Sequence, residues 1–189
     1  MTKDEFLHKF KLRQLERSSH GYRYASTLRQ AAVLIVLIDD KEELNVLLTK
    51  RAIHLRHHPG QVSFPGGKHE PEDIDSIATA LREAHEEIGL SPKYVNVIGQ
   101  LHPYQTISGY IVTPIIALIG SGHHFTKDEN EVSEIFQVPL QHFLNTENHL
   151  QVTVYHQSKP HQVPFMPYNQ YNIWGATAAM LKDLALHLT

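Results

Sequence analysis

The sequence predicts an α+β fold, with helices packed around a mixed sheet. A continuous, β-branched apolar run, Ala31–Ile38, is answered across a polar turn by a second apolar segment, Leu44–Thr49, which reads as a buried hairpin. Two later segments, about 73–89 and 173–188, repeat apolar residues at helical spacing instead. The chain has 189 residues without an internal repeat, low-complexity tract or linker, so one domain over 1–189 is expected.

Taken in order, Lys3–Arg17 is an amphipathic helix with Phe6, Leu7, Phe10 and Leu15 on its apolar side. The hairpin follows, with its turn at Asp39–Glu43. A basic loop, Lys50–Pro59, leads to a short strand at Gln61–Phe64, which Pro65-Gly66-Gly67 should stop as a turn. Lys68–Asp73 is a charged link. A helix begins near Asp73–Ser76, where acidic residues cap it and suit its dipole, and Gly89 is its C-terminal stop. Strands are expected at Tyr94–Leu101, Ile111–Ile119 and Ile135–Val138, with an acidic loop at Asp128–Glu134 and a short helix at Pro139–Leu144. A further hairpin pairs Val152–His156 with Gln162–Met166. The final helix, Ile173–Leu188, turns Met180, Leu181, Leu184 and Leu188 inward, and Trp174 is assigned to the core.

Composition excludes several functions. A formal net charge of -3 argues against a general nucleic-acid binder. With no cysteine, disulfides, thiolate nucleophiles and cysteine-ligated zinc are impossible, and the chain suits a reducing, cytoplasmic compartment. The longest apolar run is far shorter than the ~20 residues a membrane helix needs, and the acidic opening Met1-Thr2-Lys3-Asp4-Glu5 lacks the layout of a secretory signal. His85-Glu86 hints at a zinc-protease helix, but Gly89 stands where the second histidine would fall.

On a helical wheel, Ile74, Ile77, Leu81, Ala84 and Ile88 share an arc of roughly 80°, the stripe expected to face the core. Glu83, Glu86 and Glu87 lie opposite, within roughly 100°. Like charges at that spacing disfavour an isolated helix by ~0.2–0.5 kcal/mol per pair. A glutamate-rich helix face is ordinarily just solvated. Here it follows a glycine pair that admits close backbone approach, and its hard oxygen ligands suit Mg²⁺ or Mn²⁺.

Gly67, the acidic link, and Arg82-Glu83-Ala84-His85-Glu86-Glu87-Ile88-Gly89-Leu90 resemble the Nudix box, the second half position for position. The gap from Gly67 to Arg82 is one residue longer than in the general box, so Glu72 or Asp73 stands in for its first glutamate, as a structural residue. The resemblance implies an α/β/α sandwich with a mixed central sheet, the box forming loop–helix–loop over 67–90. It implies a metal site of Glu83 and Glu87, with Glu86 contributing or holding a second ion and the carbonyl of Gly66 or Gly67 adding a ligand. Arg82 would orient a glutamate. The general base would be Glu86 or a glutamate of the acidic loop, Glu131 or Glu134, so Glu86, Arg82 and Glu131 are the catalytic candidates.

The stretch ahead of the box is similar to the upstream signature of the coenzyme A diphosphatase branch. Leu48-Thr49, Arg51-Ala52, Arg56, Gly60 and Val62-Ser63-Phe64-Pro65-Gly66-Gly67 carry the likeness, and the lengthened gap belongs to the same branch. This implies cleavage of coenzyme A, or its oxidised or acylated forms, to a phosphopantetheine and adenosine 3′,5′-bisphosphate. Arg51, Arg56, Lys68 and Gly66 would bind this coenzyme A-like substrate, since arginine forks suit phosphate oxygens. His57 and His58 would add donors, and Tyr104, Tyr110 or Phe125 would stack on adenine. The competing readings are a Nudix hydrolase of ADP-ribose, a dinucleotide or a nucleoside triphosphate, and a domain that binds nucleotides without hydrolysis. No nucleic-acid or membrane partner is expected. The sequence sets no oligomeric state, though members of the family often form homodimers.

Overall fold

The computed structural model describes residues 1–14, 28–156 and 159–189. Its elements run α1 (Lys3–Leu12), β1 (Arg29–Asp39), β2 (Leu44–Arg51), β3 (Val62–Ser63), β4 (Gly66–Lys68), α2 (Ser76–Ile88), β5 (Asn96–Gln100), β6 (Tyr104–Gln105), β7 (Tyr110–Gly120), β8 (Val132–Pro139), α3 (Leu140–Leu144), β9 (Leu150–His156), β10 (Lys159–Phe165) and α4 (Gly175–Leu188). The sheet is mixed. β1 runs parallel to β7 from Arg29↔Tyr110 to Asp39↔Gly120 and antiparallel to β2 and β4. β3 and β8 pair with β2, β5 and β6 pair with β7, and β9 and β10 form a separate hairpin.

Period-two alternation along β1 divides the core into two layers. Ala31, Ile35 and Leu37 enter one cluster with Phe6 and Phe10 of α1, Leu140 and Phe143 of α3, and Leu181, Leu184 and Leu188 of α4. Ala32, Leu34, Val36 and Ile38 enter the other with Ala80, Ala84 and Ile88 of α2. Helices therefore cover both faces of the sheet, the sandwich the sequence predicts. β1 is buried on both sides, which explains its unbroken apolar run.

Several boundaries differ from expectation. The first helix ends at Leu12 rather than Arg17; Leu15–Arg17 lie outside the described residues. A 3-10 turn at Pro92–Tyr94 precedes β5, and the acidic loop gives up Val132, Ser133 and Glu134 to β8. Trp174 is not core: it occupies the N-cap position of α4 and is 37% exposed. The apolar stripe of α4 begins one turn later. Gly66-Gly67 is not a turn but the body of β4, held on β1 through Ala32↔Gly67 and Val33↔Gly66. Among the described residues, no helix is long and apolar enough to cross a membrane.

Candidate active site

α2 is held at both ends. Asp75 caps it, its side chain accepting from the Ala78 N–H at 2.8 Å. Gly89 stops it in the left-handed region, φ 68°, with its N–H donating to the His85 carbonyl at 3.0 Å. The 126–131 loop then covers this end, Thr126 N–H donating to Ile88 O at 3.0 Å and Asp128 N–H to Glu87 O at 2.9 Å. These contacts fix the helix and the acidic loop as one unit.

The wheel needs two corrections. Ile74 does not join the core stripe; it precedes the N-cap, lies outside the helix and is 90% exposed. Nor do the three glutamates share an open face. Glu86 is exposed, Glu83 is largely covered and Glu87 is 4% exposed. The wheel located them opposite Ala84 and Ile88, but β4 and the acidic loop roof that side.

The glycine pair makes the roof fit. A side chain at Gly66, φ 155°, would strike the backbone of Ala32 and Val33. One at Gly67 would occupy the space of the Glu83 carboxylate, 2.6 Å from Oε2. The Gly66 N–H donates to Glu87 Oε2 at 3.3 Å. Gly66 and Gly67 thus lie against the two carboxylates expected to be chief metal ligands.

Burial pushes Glu87 up to about 8, and the charges of Glu131 and Glu83 push the same way, against Arg51 and the Gly66 N–H. Glu83 is also raised, by burial first and then by Glu86 and Glu131, while Arg82 opposes. The structure therefore brings Glu83, Glu87, Glu131 and Arg51 into one electrostatic neighbourhood. Glu131 reaches it from the far loop, where its carbonyl accepts from the Ala52 N–H at 2.8 Å. His54 Nε2 lies 3.0 Å from Asn130 O, so the basic loop and the acidic loop share an edge of the site.

Arg82 organises the rest. Nη1 donates to Glu83 Oε1 at 3.1 Å and to Glu86 Oε2 at 2.9 Å, and Nη2 donates to the Lys68 carbonyl at 3.0 Å. Its Nε and Nη2 also clamp Asp73. Asp73, the structural stand-in in the lengthened gap, is held well below the usual carboxylate range by that guanidinium. Arg82 in turn is raised, chiefly by Asp73.

Other candidates go elsewhere. Glu134 is engaged elsewhere: the Tyr171 hydroxyl donates to its Oε1, and Tyr171 stacks on Phe136 with ring centroids 3.6 Å apart. Ile135, the neighbour of Glu134, turns toward α2, so alternation along β8 sends Glu134 to the other face. Arg56, His57 and His58 are exposed on the basic loop, and Lys68 is exposed on β4. Tyr104 is buried in the α1 and α4 layer, and Tyr110 is covered by Arg29, 4.1 Å from the ring centroid. Phe125 lines a cavity of about 430 Å³ with His123, His124, Ile135, Phe136 and Gln137.

The residues present suit a hard divalent cation. Burial leaves Glu87 poorly solvated and raises Glu83, and the charges of Glu83, Glu86 and Glu131 add to this repulsion, the condition a cation relieves. Among the described residues, no three acidic or histidine side chains already enclose an ion-sized space. Arg82 draws Glu83 and Glu86 toward itself, and the carboxylates would have to turn inward to ligate.

Comparison with known proteins agrees with this geometry. The NUDIX domain family matches residues 28–158. The chain is 40% identical over 188 residues to a Nudix hydrolase NudL from Enterobacter sp. (strain 638), covering all of this chain and 95% of that one. It is 40% identical over 190 residues to NudL of Escherichia coli (strain K12), with the same coverage. Among solved structures, a Nudix hydrolase from M. smegmatis, RenU, superposes with a TM-score of 0.52 at 25% identity, over 66% of this chain and 78% of that one. A C. elegans Ap4A hydrolase does so with a TM-score of 0.51 at 17% identity, over 59% and 80%, which bears on the fold alone.

The chain belongs to the Nudix hydrolase family. It is accordingly a hydrolase of the pyrophosphate bond in nucleoside diphosphate derivatives, a class whose members generally use divalent metal ions.

Proposed function

We propose that the substrate is coenzyme A or one of its oxidised or acylated forms, cleaved to (acyl-)4′-phosphopantetheine and adenosine 3′,5′-bisphosphate. The observation that carries this reading is the position of Arg51. It ends β2, its charge bears on Glu87, and its Nε is buried with no hydrogen-bond partner among the described residues. The upstream signature thus supplies a guanidinium beside the box carboxylates, where a substrate phosphate would satisfy it. Arg56, His57 and His58 are exposed on the loop that follows it, available to the additional phosphate that coenzyme A carries.

Glu83 and Glu87 would hold Mg²⁺ or Mn²⁺, with the Gly67 carbonyl beside them and Glu86 as a further ligand. A bound cation supplies neutralisation of the diphosphate oxygens and a lowered pKa for water. Arg82 orients Glu83 and Glu86, donating to both from Nη1. Arg51 binds a phosphate oxygen. Glu131, whose charge reaches Glu87 from the opposite loop, takes a proton from the attacking water as its oxygen bonds to one phosphorus. The anhydride P–O bond breaks, and the leaving phosphate departs with its bridging oxygen. The lack of cysteine suits a cytoplasmic setting for this reaction.

The test is a substrate panel with Mg²⁺ or Mn²⁺, containing coenzyme A, its disulfide, an acyl form, ADP-ribose and a dinucleoside polyphosphate. Products would be resolved by chromatography for the parent and Glu87→Gln. Adenosine 3′,5′-bisphosphate should appear from the coenzyme A forms with the highest kcat/KM and disappear in the variant. Faster turnover of ADP-ribose or of the dinucleotide would overturn the assignment.

A further inference from the structure

A buried polar chain runs from β4 into the carboxylate site. Thr79, on the first turns of α2, is fully buried. Its hydroxyl donates to Asp73 Oδ2 at 2.9 Å, and His69 Nδ1 lies 3.0 Å from the Thr79 hydroxyl oxygen, Oγ1. Asp73 Oδ2 also accepts from the Glu70 N–H at 2.9 Å. Arg82 then links Asp73 to Glu83 and Glu86. His69 is itself anchored, its backbone N–H donating to Gln30 O of β1 at 3.1 Å.

The direction of every bond is fixed by the inventory of protons. Asp73, ionised, can only accept. Arg82 can only donate. The Thr79 hydroxyl has one proton, and the charge-assisted bond to Asp73 takes it in preference to the 3.2 Å contact with Asp75 O. Thr79 Oγ1 is therefore an acceptor toward His69, and His69 must carry its proton on Nδ1. No member of the chain can reverse its role without leaving one of these groups unpaired.

We propose that Thr79 is a positioning residue for the metal carboxylates, with His69 as its outer support. The two fix the Asp73 carboxylate, Asp73 fixes the rotation of the Arg82 guanidinium, and Arg82 sets where Glu83 and Glu86 stand. Thr79 touches neither substrate nor cation. The inference rests on the reading that Glu83, Glu86 and Glu87 hold the divalent ion, but not on which nucleotide is cleaved.

The experiment is Mn²⁺ binding to the full, substrate-free chain, followed by electron paramagnetic resonance of the free ion, with thermal melting alongside. The parent should bind Mn²⁺; a parent that binds none contradicts the metal reading itself, and this is visible before any variant is compared. Thr79→Val keeps the shape of the side chain and removes the hydroxyl, and should weaken Mn²⁺ about tenfold. Thr79→Ser restores the hydroxyl and should restore the affinity. If both variants bind as the parent does, or both are equally weakened, the hydroxyl has no positioning role. Should Thr79→Val fail to fold, His69→Ala leaves Thr79 in place and tests the same chain. It should weaken Mn²⁺ in the same direction, and parent-like binding would overturn the proposal.

Discussion

Arg82 grips Asp73 with two parallel hydrogen bonds, Nε to Oδ1 at 3.0 Å and Nη2 to Oδ2 at 3.1 Å, across nine residues of sequence. The pair turns a floppy cation into a fixed strut, because a planar fork held at two points cannot rotate. Its remaining nitrogen, Nη1, is then aimed at Glu83 and Glu86. Lysine has no second point of attachment. Arg82→Lys should lower kcat by about 10–100-fold and reduce Tm by several degrees. Steady-state kinetics and melting measure both, and parent-like kcat would show that the clamp is not needed for turnover.

The two glycines of β4 should fail in different ways. Gly66→Ala puts a methyl group into the backbone of β1, which cannot move aside, and should destabilise the fold by about 2–3 kcal/mol. Gly67→Ala meets only the far end of Glu83, which can swing away. That variant should melt near the parent yet lose most of its metal affinity and activity. Denaturant unfolding and Mn²⁺ titration separate the two outcomes; a stable, inactive Gly66→Ala with an unstable Gly67→Ala would reverse them.

Stability should depend on pH through Glu87. Its carboxyl titrates at about 8 when folded and near the ordinary glutamate value when unfolded. Between those values the native state holds a proton that the unfolded chain has released, so stability falls as pH rises. The contribution is complete below the unfolded pKa and gone above the folded one. With chelator present, Tm should decline from pH 5 to pH 9 more steeply in the parent than in Glu87→Gln. Mg²⁺ should flatten the parent's decline. Equal slopes in parent and variant would remove Glu87 as the cause.

Glu131 and Glu134 are separated by a strand's alternation and should behave oppositely. Glu131→Gln should lower kcat by about 10²-fold or more, as loss of a general base does, with little change in Tm. Glu134→Gln replaces the charged acceptor of the Tyr171 hydroxyl with a weaker, neutral amide oxygen and should lower Tm while kcat stays near the parent's. A kinetic loss confined to Glu134→Gln would move the base to the other face of the sheet.

Much of this was legible in sequence because it is local. The β-branched run of β1, the apolar spacing of α2 and its glycine stop depend on neighbours within a few residues, and they fall where expected. The box glutamates and Arg82 follow from a fixed spacing. What was not legible depends on distant partners. β4 is three residues long and exists only because β1 lies beside it, so Gly66-Gly67 read as a turn. The same strand covers Glu87, which the wheel placed in the open. Thr79 carried no signal at all: a threonine inside a helix looks like ordinary packing until Asp73 and His69 are seen to converge on its hydroxyl. The tie between Tyr171 and Glu134 spans 37 residues and took Glu134 out of the site.

The most direct measurement of the metal-dependent account is anomalous scattering at the manganese edge from crystals of the full chain soaked in Mn²⁺. A peak should lie between Glu83 and Glu87, beside the backbone of Gly67, with both side chains turned toward it. A well-diffracting, fully soaked crystal with no peak there, or with manganese only at sites remote from α2, would contradict it.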